Sequence, residues 1–175
     1  MGLRIMGLDL SLNATGVCLP DGRVLTIKLK AEHGDNRLCI IRDTVRRFLP
    51  QVDMCVIEDK VHASYSAAVL GMVQGVVRTE LMDQGVPYAL VPAKTLKKWA
   101  TGNGNADKDM MIAAAQAQAG LRFRDDNQCD AWWAQQAGHD HYGMVLSIPT
   151  PDQARSTLLT VVDWPMISAQ RAARV

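Results

Sequence analysis

The apolar and polar positions of this chain fall into short periodic blocks separated by turn-forming residues. Arg4 to Leu10 is a brief apolar run that closes around a carboxylate, Asp9. Thr15 to Leu19 is rich in β-formers and leads into Pro20-Asp21-Gly22, a turn signal. Arg23 to Leu29 alternates, with Val24, Thr26 and Lys28 on one face and Leu25, Ile27 and Leu29 on the other. Two hairpins in succession predict an antiparallel meander.

Helical spacing follows. Leu38, Ile41, Val45 and Phe48 share a stripe between Arg37 and Leu49, and Pro50 stops the helix. Met54 to Ile57 is continuously apolar, the mark of a strand covered on both faces, and it ends at Glu58-Asp59. Ser64 can cap a long helix to about Asp83, with Gly85 behind it. Val86 to Val91 predicts a fifth strand, closed by Pro92, and Ala93 to Ala100 a short helix. Thr101 to Asn105 reads as a loop, Asp107 to Ala119 as a helix, and Asp125 or Asp126 opens a last firm helix to Gly138. Trp132 and Trp133 are expected in the core, with Met72, Met82, Met110 and Met111 as filler. The order βββ-α-β-α-β-α-α predicts an α/β fold, a mixed five-stranded sheet with its first three strands antiparallel and helices on its faces.

The chain has 175 residues, enough for one domain with its own core, and 48% of them are hydrophobic, which argues against global disorder. The formal net charge of +1 excludes a bulk basic sheath, so any nucleic-acid site must come from local clustering. Cys18, Cys39, Cys55 and Cys129 show no CxxC spacing, which argues against a zinc ribbon. Three of them sit in apolar runs and read as buried thiols of a reducing compartment. No apolar stretch approaches the roughly 18 residues of a membrane span, and the first residues do not form a signal peptide. The expectation is a cytoplasmic protein with no membrane partner.

Candidate chemistry lies in the acids. Asp9 and Glu58 each follow an apolar strand, and ligands of open α/β sheets bind outside the carboxyl ends of strands. Asp126 and Asp130 are four apart and share a helical face, and Asp130 sits beside Ala131-Trp132-Trp133-Ala134, the most apolar part of its helix. Each acid also has a simpler role open to it: a turn cap for Asp9, a solvated strand end for Glu58-Asp59, an N-cap for Asp125-Asp126. Four carboxylates meeting in one pocket stay ionised only around a cation. Oxygen donors without Cys or His select Mg²⁺, with Mn²⁺ as substitute, and two such ions can clamp the attacking and leaving oxygens of a phosphodiester.

Met6 to Gly16 (MGLDLSLNATG), Val56-Ile57-Glu58 and Asp125 to Ala131 (DDNQCDA) together resemble the RuvC-like Holliday junction resolvases, the bacteriophage type in particular. Pro92 to Lys98 and Ala100 to Lys108 look like that family's connecting segment, and the likeness covers about residues 4–142. It implies a ribonuclease-H-like domain over residues 1–145 with a C-terminal appendage over 146–175. It also implies a homodimer that cuts branched DNA with divalent metal and no nucleotide cofactor, working in a bacterial host cell if of phage origin. By position, Asp9 is the first-strand ligand, Glu58 the fourth-strand ligand and Asp130 the terminal-helix ligand. The bacterial enzymes carry Asp or His three residues before the last Asp, where this chain has Asn127. Asp126 is taken as the fourth catalytic carboxylate, with the Asn127 amide as the alternative. Those enzymes also carry an aromatic residue three after the glutamate. Here that place is Val61, and Tyr65 is the candidate to stack on a base.

Lys94, Lys97, Lys98 and Lys108 lie within fifteen residues and form a candidate DNA-binding patch. Ala67, Ala68, Gly71 and Gly75 make a small-residue stripe, suited either to packing on the sheet or to a dimer seam. Three other functions share parts of this pattern. Gly7 to Gly16 also resembles the first phosphate hairpin of actin-like and sugar kinases, but those enzymes need roughly twice this length in two domains. A ribonuclease-H-like enzyme for flaps or RNA–DNA hybrids, and a non-catalytic DNA-binding module, complete the set.

Overall fold

The computed structural model describes residues 2–60 and 65–167, the first two residues of the second stretch by their backbone alone. Five strands, β1 (Ile5–Asp9), β2 (Ala14–Cys18), β3 (Val24–Lys28), β4 (Met54–Asp59) and β5 (Tyr88–Pro92), form one sheet. Their order is β3-β2-β1-β4-β5. The first three pair antiparallel, as the turn at Pro20-Asp21-Gly22 predicts, and β1–β4 and β4–β5 pair parallel. This is the ribonuclease-H-like mixed sheet.

The helices are α1 (Asn36–Phe48), α2 (Tyr65–Asp83), α3 (Ala93–Thr101), α4 (Lys108–Ala119), α5 (Asp126–His141) and the short α6 (Gln153–Thr157). They cover both faces, which is why the central strands are apolar throughout. Met6, Leu8, Leu10, Cys55 and Ile57 pack against Ile41 and Val45 of α1 and Val73, Val77 and Leu81 of α2. Ile5, Met54, Val56, Ala89 and Val91 pack against Trp99, Trp132 and Trp133 of α3 and α5. Alternation along a strand therefore fixes where the acids point. Asp9 shares the parity of Ile5, and Glu58 that of Met54 and Val56, so both face α5. Asp59 faces the other way and accepts a hydrogen bond from Gln74 Nε2 of α2 at 3.2 Å.

Met111 fills the core as expected, but Met72, Met82 and Met110 do not: they are 46%, 60% and 41% exposed. The apolar stripe of α2 is Val73, Val77 and Leu81, and Met72 and Met82 fall off it. On α4, the buried pair is Met111 and Ala115, which leaves Met110 turned outward. Cys18, Cys55 and Cys129 are buried free thiols and Cys39 is exposed. In the C-terminal segment, Ile148, Leu159 and Val162 join the core on the α5 side. Arg155 donates from Nε to the Trp99 carbonyl at 2.5 Å and lies 4.8 Å from the Trp99 ring centroid. Among the described residues, no helix is long and apolar enough to cross a membrane.

Candidate metal centre

The position of α5 is set by what the strands beneath it lack. A Cβ on Gly7 would lie 2.0 Å from the Ala131 carbonyl oxygen, and one on Gly16 would lie 1.9 Å from that of Asn127. With hydrogen in both places, the first turns of the helix rest directly on β1 and β2. Gln135, one turn further, is buried and donates from Nε2 to the carbonyls of Ile5 at 2.9 Å and Leu19 at 2.7 Å, where β1 and β2 diverge. The helix start is pinned by Asp125. Its carboxylate accepts from the Gln128 amide at 3.1 Å and from Thr26 Oγ1 at 2.8 Å, and pairs with Lys28 Nζ at 3.1 Å. Burial works against the Asp125 charge, but these donors outweigh it and hold the group below its ordinary range. Asp125 is thus the cap, and the next acids on the helix are left for the cleft.

Asp130 is carried down over the ends of β1 and β4. One carboxylate oxygen from each of Asp9, Glu58 and Asp130 lies within 4.8 Å of the others. Asp9 and Glu58 are each 1% exposed and Asp130 9%. Neither oxygen of Asp9 nor of Glu58 finds a hydrogen-bond partner of good geometry among the described residues. Buried acceptors are normally satisfied, so buried oxygens left without a hydrogen bond of good geometry at one point mark a place with acceptor capacity for a cation. The ionic contact to this pair comes from Lys60, whose Nζ lies 2.5 Å from Asp9 Oδ1 and 3.1 Å from Glu58 Oε2.

The electrostatics agree. Burial pushes Asp9 up to about 7, with Glu58 adding to the shift and Lys60 opposing it. Burial also pushes Asp130 up to about 7, reinforced by the charge of Asp9. Glu58 is raised by burial too. Lys60 is disfavoured as a cation by burial, yet Asp9 and Glu58 outweigh this and raise it above its ordinary value. Lys60 thus supplies positive charge to the cluster, yet burial still holds all three carboxylates above their ordinary values.

The remaining candidate residues divide. Asp126 and Asn127 line the same cleft as Glu58, Lys60 and Asp130, a hollow of about 650 Å³ that also takes in Lys97 and Lys108. Asp126 stands outside the three-carboxylate cluster and is ion-paired with Lys108, which opens α4. Lys94 and Lys98 are exposed, and Lys98 lines a different hollow with Trp99 and Arg155. Tyr65 opens α2, while its ring, with Val61 and His62, falls outside the described residues. Lys60 is the site residue that pattern reasoning missed. Its signal was parity: two residues after Glu58 on an extended chain, it points to the same side.

A donor set made wholly of carboxylates, with buried oxygens lacking partners, fits a hard divalent cation of the Mg²⁺, Mn²⁺ or Ca²⁺ kind. Asp9, Glu58 and Asp130 are the residues that would hold it.

Comparison with known proteins gives a consistent picture. The family described as crossover junction endodeoxyribonuclease RuvC matches residues 2–128, a span that includes Asp9 and Glu58 and ends inside α5. The structure of Thermus thermophilus RuvC is similar, with a TM-score of 0.67 at 18% identity, over 81% of this chain and 98% of that one. T. thermophilus RuvC in complex with a Holliday junction substrate gives 0.68 at 18% identity, over 81% and 97%. Among curated proteins none matches the chain.

Proposed function

The chain belongs to the RuvC family of crossover junction endodeoxyribonucleases, and from that premise we propose a metal-dependent nuclease that resolves four-way DNA junctions with Asp9, Glu58 and Asp130, joined by Asp126. The observation that carries this reading is the convergence of three buried carboxylates from two strand ends and one helix. The similarly folded Thermus protein is bound to a Holliday junction, and branched DNA is the substrate class carried over here.

Divalent ions, Mg²⁺ with Mn²⁺ as substitute, supply charge neutralisation at the attacking and leaving oxygens of the phosphodiester when bound. The protein's part is to hold them rigidly. Asp9 and Glu58 stand on central strands, and Asp130 on a helix seated at van der Waals contact. Asp126 gives up its pairing with Lys108 to complete the set. Lys97 and Lys108, on the wall of the same cleft, meet backbone phosphates, with Lys94 and Lys98 extending the contact outward and Tyr65 stacking on an unpaired base.

One domain of this size holds one carboxylate cluster, and a junction needs two opposed cuts. A two-fold homodimer satisfies that symmetry. The open face of α2 supports the seam: among the described residues, a Cβ on Gly71 or Gly75 would meet nothing within 4 Å, so these glycines are not there to let α2 approach the sheet. The catalytic domain is read as residues 1–145, with 146–175 as an addition whose Arg155 reaches the Trp99 carbonyl of α3. A bacteriophage protein working in a bacterial cytoplasm fits the four free thiols.

The test is a panel of four-way junction, flap, duplex and RNA–DNA hybrid incubated with the purified chain in Mg²⁺ and in EDTA. Paired, symmetric, Mg²⁺-dependent nicks confined to the junction support the reading. Equal cutting of hybrid or flap contradicts it.

A further inference from the structure

Two buried carboxylates with no counter-charge are costly, and leaving one partner of such a pair uncompensated is among the largest single penalties in folding. In this protein the counter-charge for Asp9 and Glu58 is a lysine. Lys60 lies just past β4, its side chain 26% exposed, with its ammonium touching one oxygen of each acid. That position lies against the oxygens assigned above to metal. An ammonium and a divalent ion repel, and they compete for the same lone pairs.

We propose that Lys60 is the resident cation of the metal-free centre, and that a divalent ion enters by displacing it. The proposal rests on the reading of the cluster as a metal centre and adds a determinant of its affinity. Displacement is sterically open. The lysine stem is flexible, and Lys60 lines the cleft beside Ser11 and Asn13, where its head can turn toward solvent. Lys60 thus keeps the empty centre folded and lowers the affinity for metal. A neutral side chain of similar length should tighten metal binding while weakening the metal-free fold. A guanidinium should preserve the competition.

The experiment titrates Mn²⁺ calorimetrically into metal-free full-length protein: wild type, Lys60→Met, Lys60→Arg and Asp9→Asn. Thermal unfolding is recorded on the same samples with and without Mn²⁺. Lys60→Met should bind Mn²⁺ about tenfold more tightly than wild type. It should also unfold at lower temperature without metal and gain more from saturating Mn²⁺. Lys60→Arg should stay close to wild type. If Lys60→Met binds no more tightly than wild type while Asp9→Asn abolishes binding, the centre stands and the role of Lys60 is overturned. If neither wild type nor Lys60→Met binds Mn²⁺, both readings fall. Should Lys60→Met not fold, Lys60→Gln takes its place: it must bind more tightly than Lys60→Arg, and equal affinities overturn the inference.

Discussion

Gly7→Ala is the sharpest probe of how the fold builds the site. The added methyl would sit 2.0 Å from the Ala131 carbonyl oxygen and 2.8 Å from the Gln135 nitrogen, both backbone atoms. Backbone of a seated helix cannot rotate aside as a side-chain tip can. To reach ordinary contact at 3.4 Å, α5 must retreat by about 1.4 Å. Overpacking of this kind costs roughly 1–3 kcal/mol, and stretching the Gln135 bonds to Ile5 and Leu19 adds about 1 kcal/mol. Asp130 is next to Ala131 and travels with it, away from Asp9. A misplacement of about 1 Å costs around 10²-fold in rate. The expected result is a urea midpoint lowered by about 2–4 kcal/mol equivalent and single-turnover junction cleavage reduced about 100-fold, with weaker Mn²⁺ binding. Gly138→Ala is the comparison: its methyl meets side-chain atoms, Val56 at 2.8 Å and Ile5 at 3.3 Å, so the buried Val56 must shift but no helix backbone is pushed from β1. A Gly7→Ala protein as stable as wild type and cleaving within threefold of it refutes the reasoning.

Three further outcomes are expected. If Asp126 joins the metal set, Asp126→Ala should be as inactive as Asp130→Ala, with Asn127→Ala still active; the reverse pattern in a cleavage assay moves the fourth ligand to Asn127. Asp9 and Asp130 titrate near 7 in the folded protein, above the ordinary carboxylate value of 3.8, so between these pH values the folded chain holds more protons than the unfolded one. Metal-free stability should therefore fall as pH rises through about 7, by less in Asp9→Asn than in wild type, and saturating Mg²⁺ should remove the fall; urea midpoints at pH 5.5 and 8 would read this. Gly71→Leu projects into open space on one chain, so circular dichroism should be unchanged while sedimentation shows a weakened dimer; an unchanged dimer places the seam elsewhere.

The strands and both strand-end acids were legible because β1 and β4 are covered on both faces and so read as unbroken apolar runs. Which acid of Glu58-Asp59 enters the site follows from the family resemblance, which picks Glu58, and not from periodicity, since adjacent residues on a strand face opposite ways and the pattern does not say which face meets α5. The same holds for Asp125 and Asp126: the capping role of Asp125 depends on Thr26 and Lys28, far away in sequence. The lysine patch read as one cluster in sequence. On α3, however, Lys97 and Lys98 are a quarter-turn apart, and Lys97 lines the carboxylate cleft while Lys98 lines another hollow. Lys60 was hidden for a different reason. A search for metal ligands looks for acids, and a basic residue enters such a cluster only as a counter-ion. The misplaced methionines show the weakness of hydrophobicity on an Ala- and Gly-rich helix, where several faces look equally apolar.

The central claim is that Asp9, Glu58 and Asp130 are one nuclease centre. Its most direct test is single-turnover cleavage of a four-way junction by Glu58→Gln and Asp130→Asn, with junction binding measured on the same preparations. Both variants should bind the junction at least as well as wild type, because each removes negative charge from a cleft that faces phosphate, and both should lose cleavage by about 10³-fold or more. Cleavage within tenfold of wild type by either variant, in a protein that still binds the junction, would contradict the account.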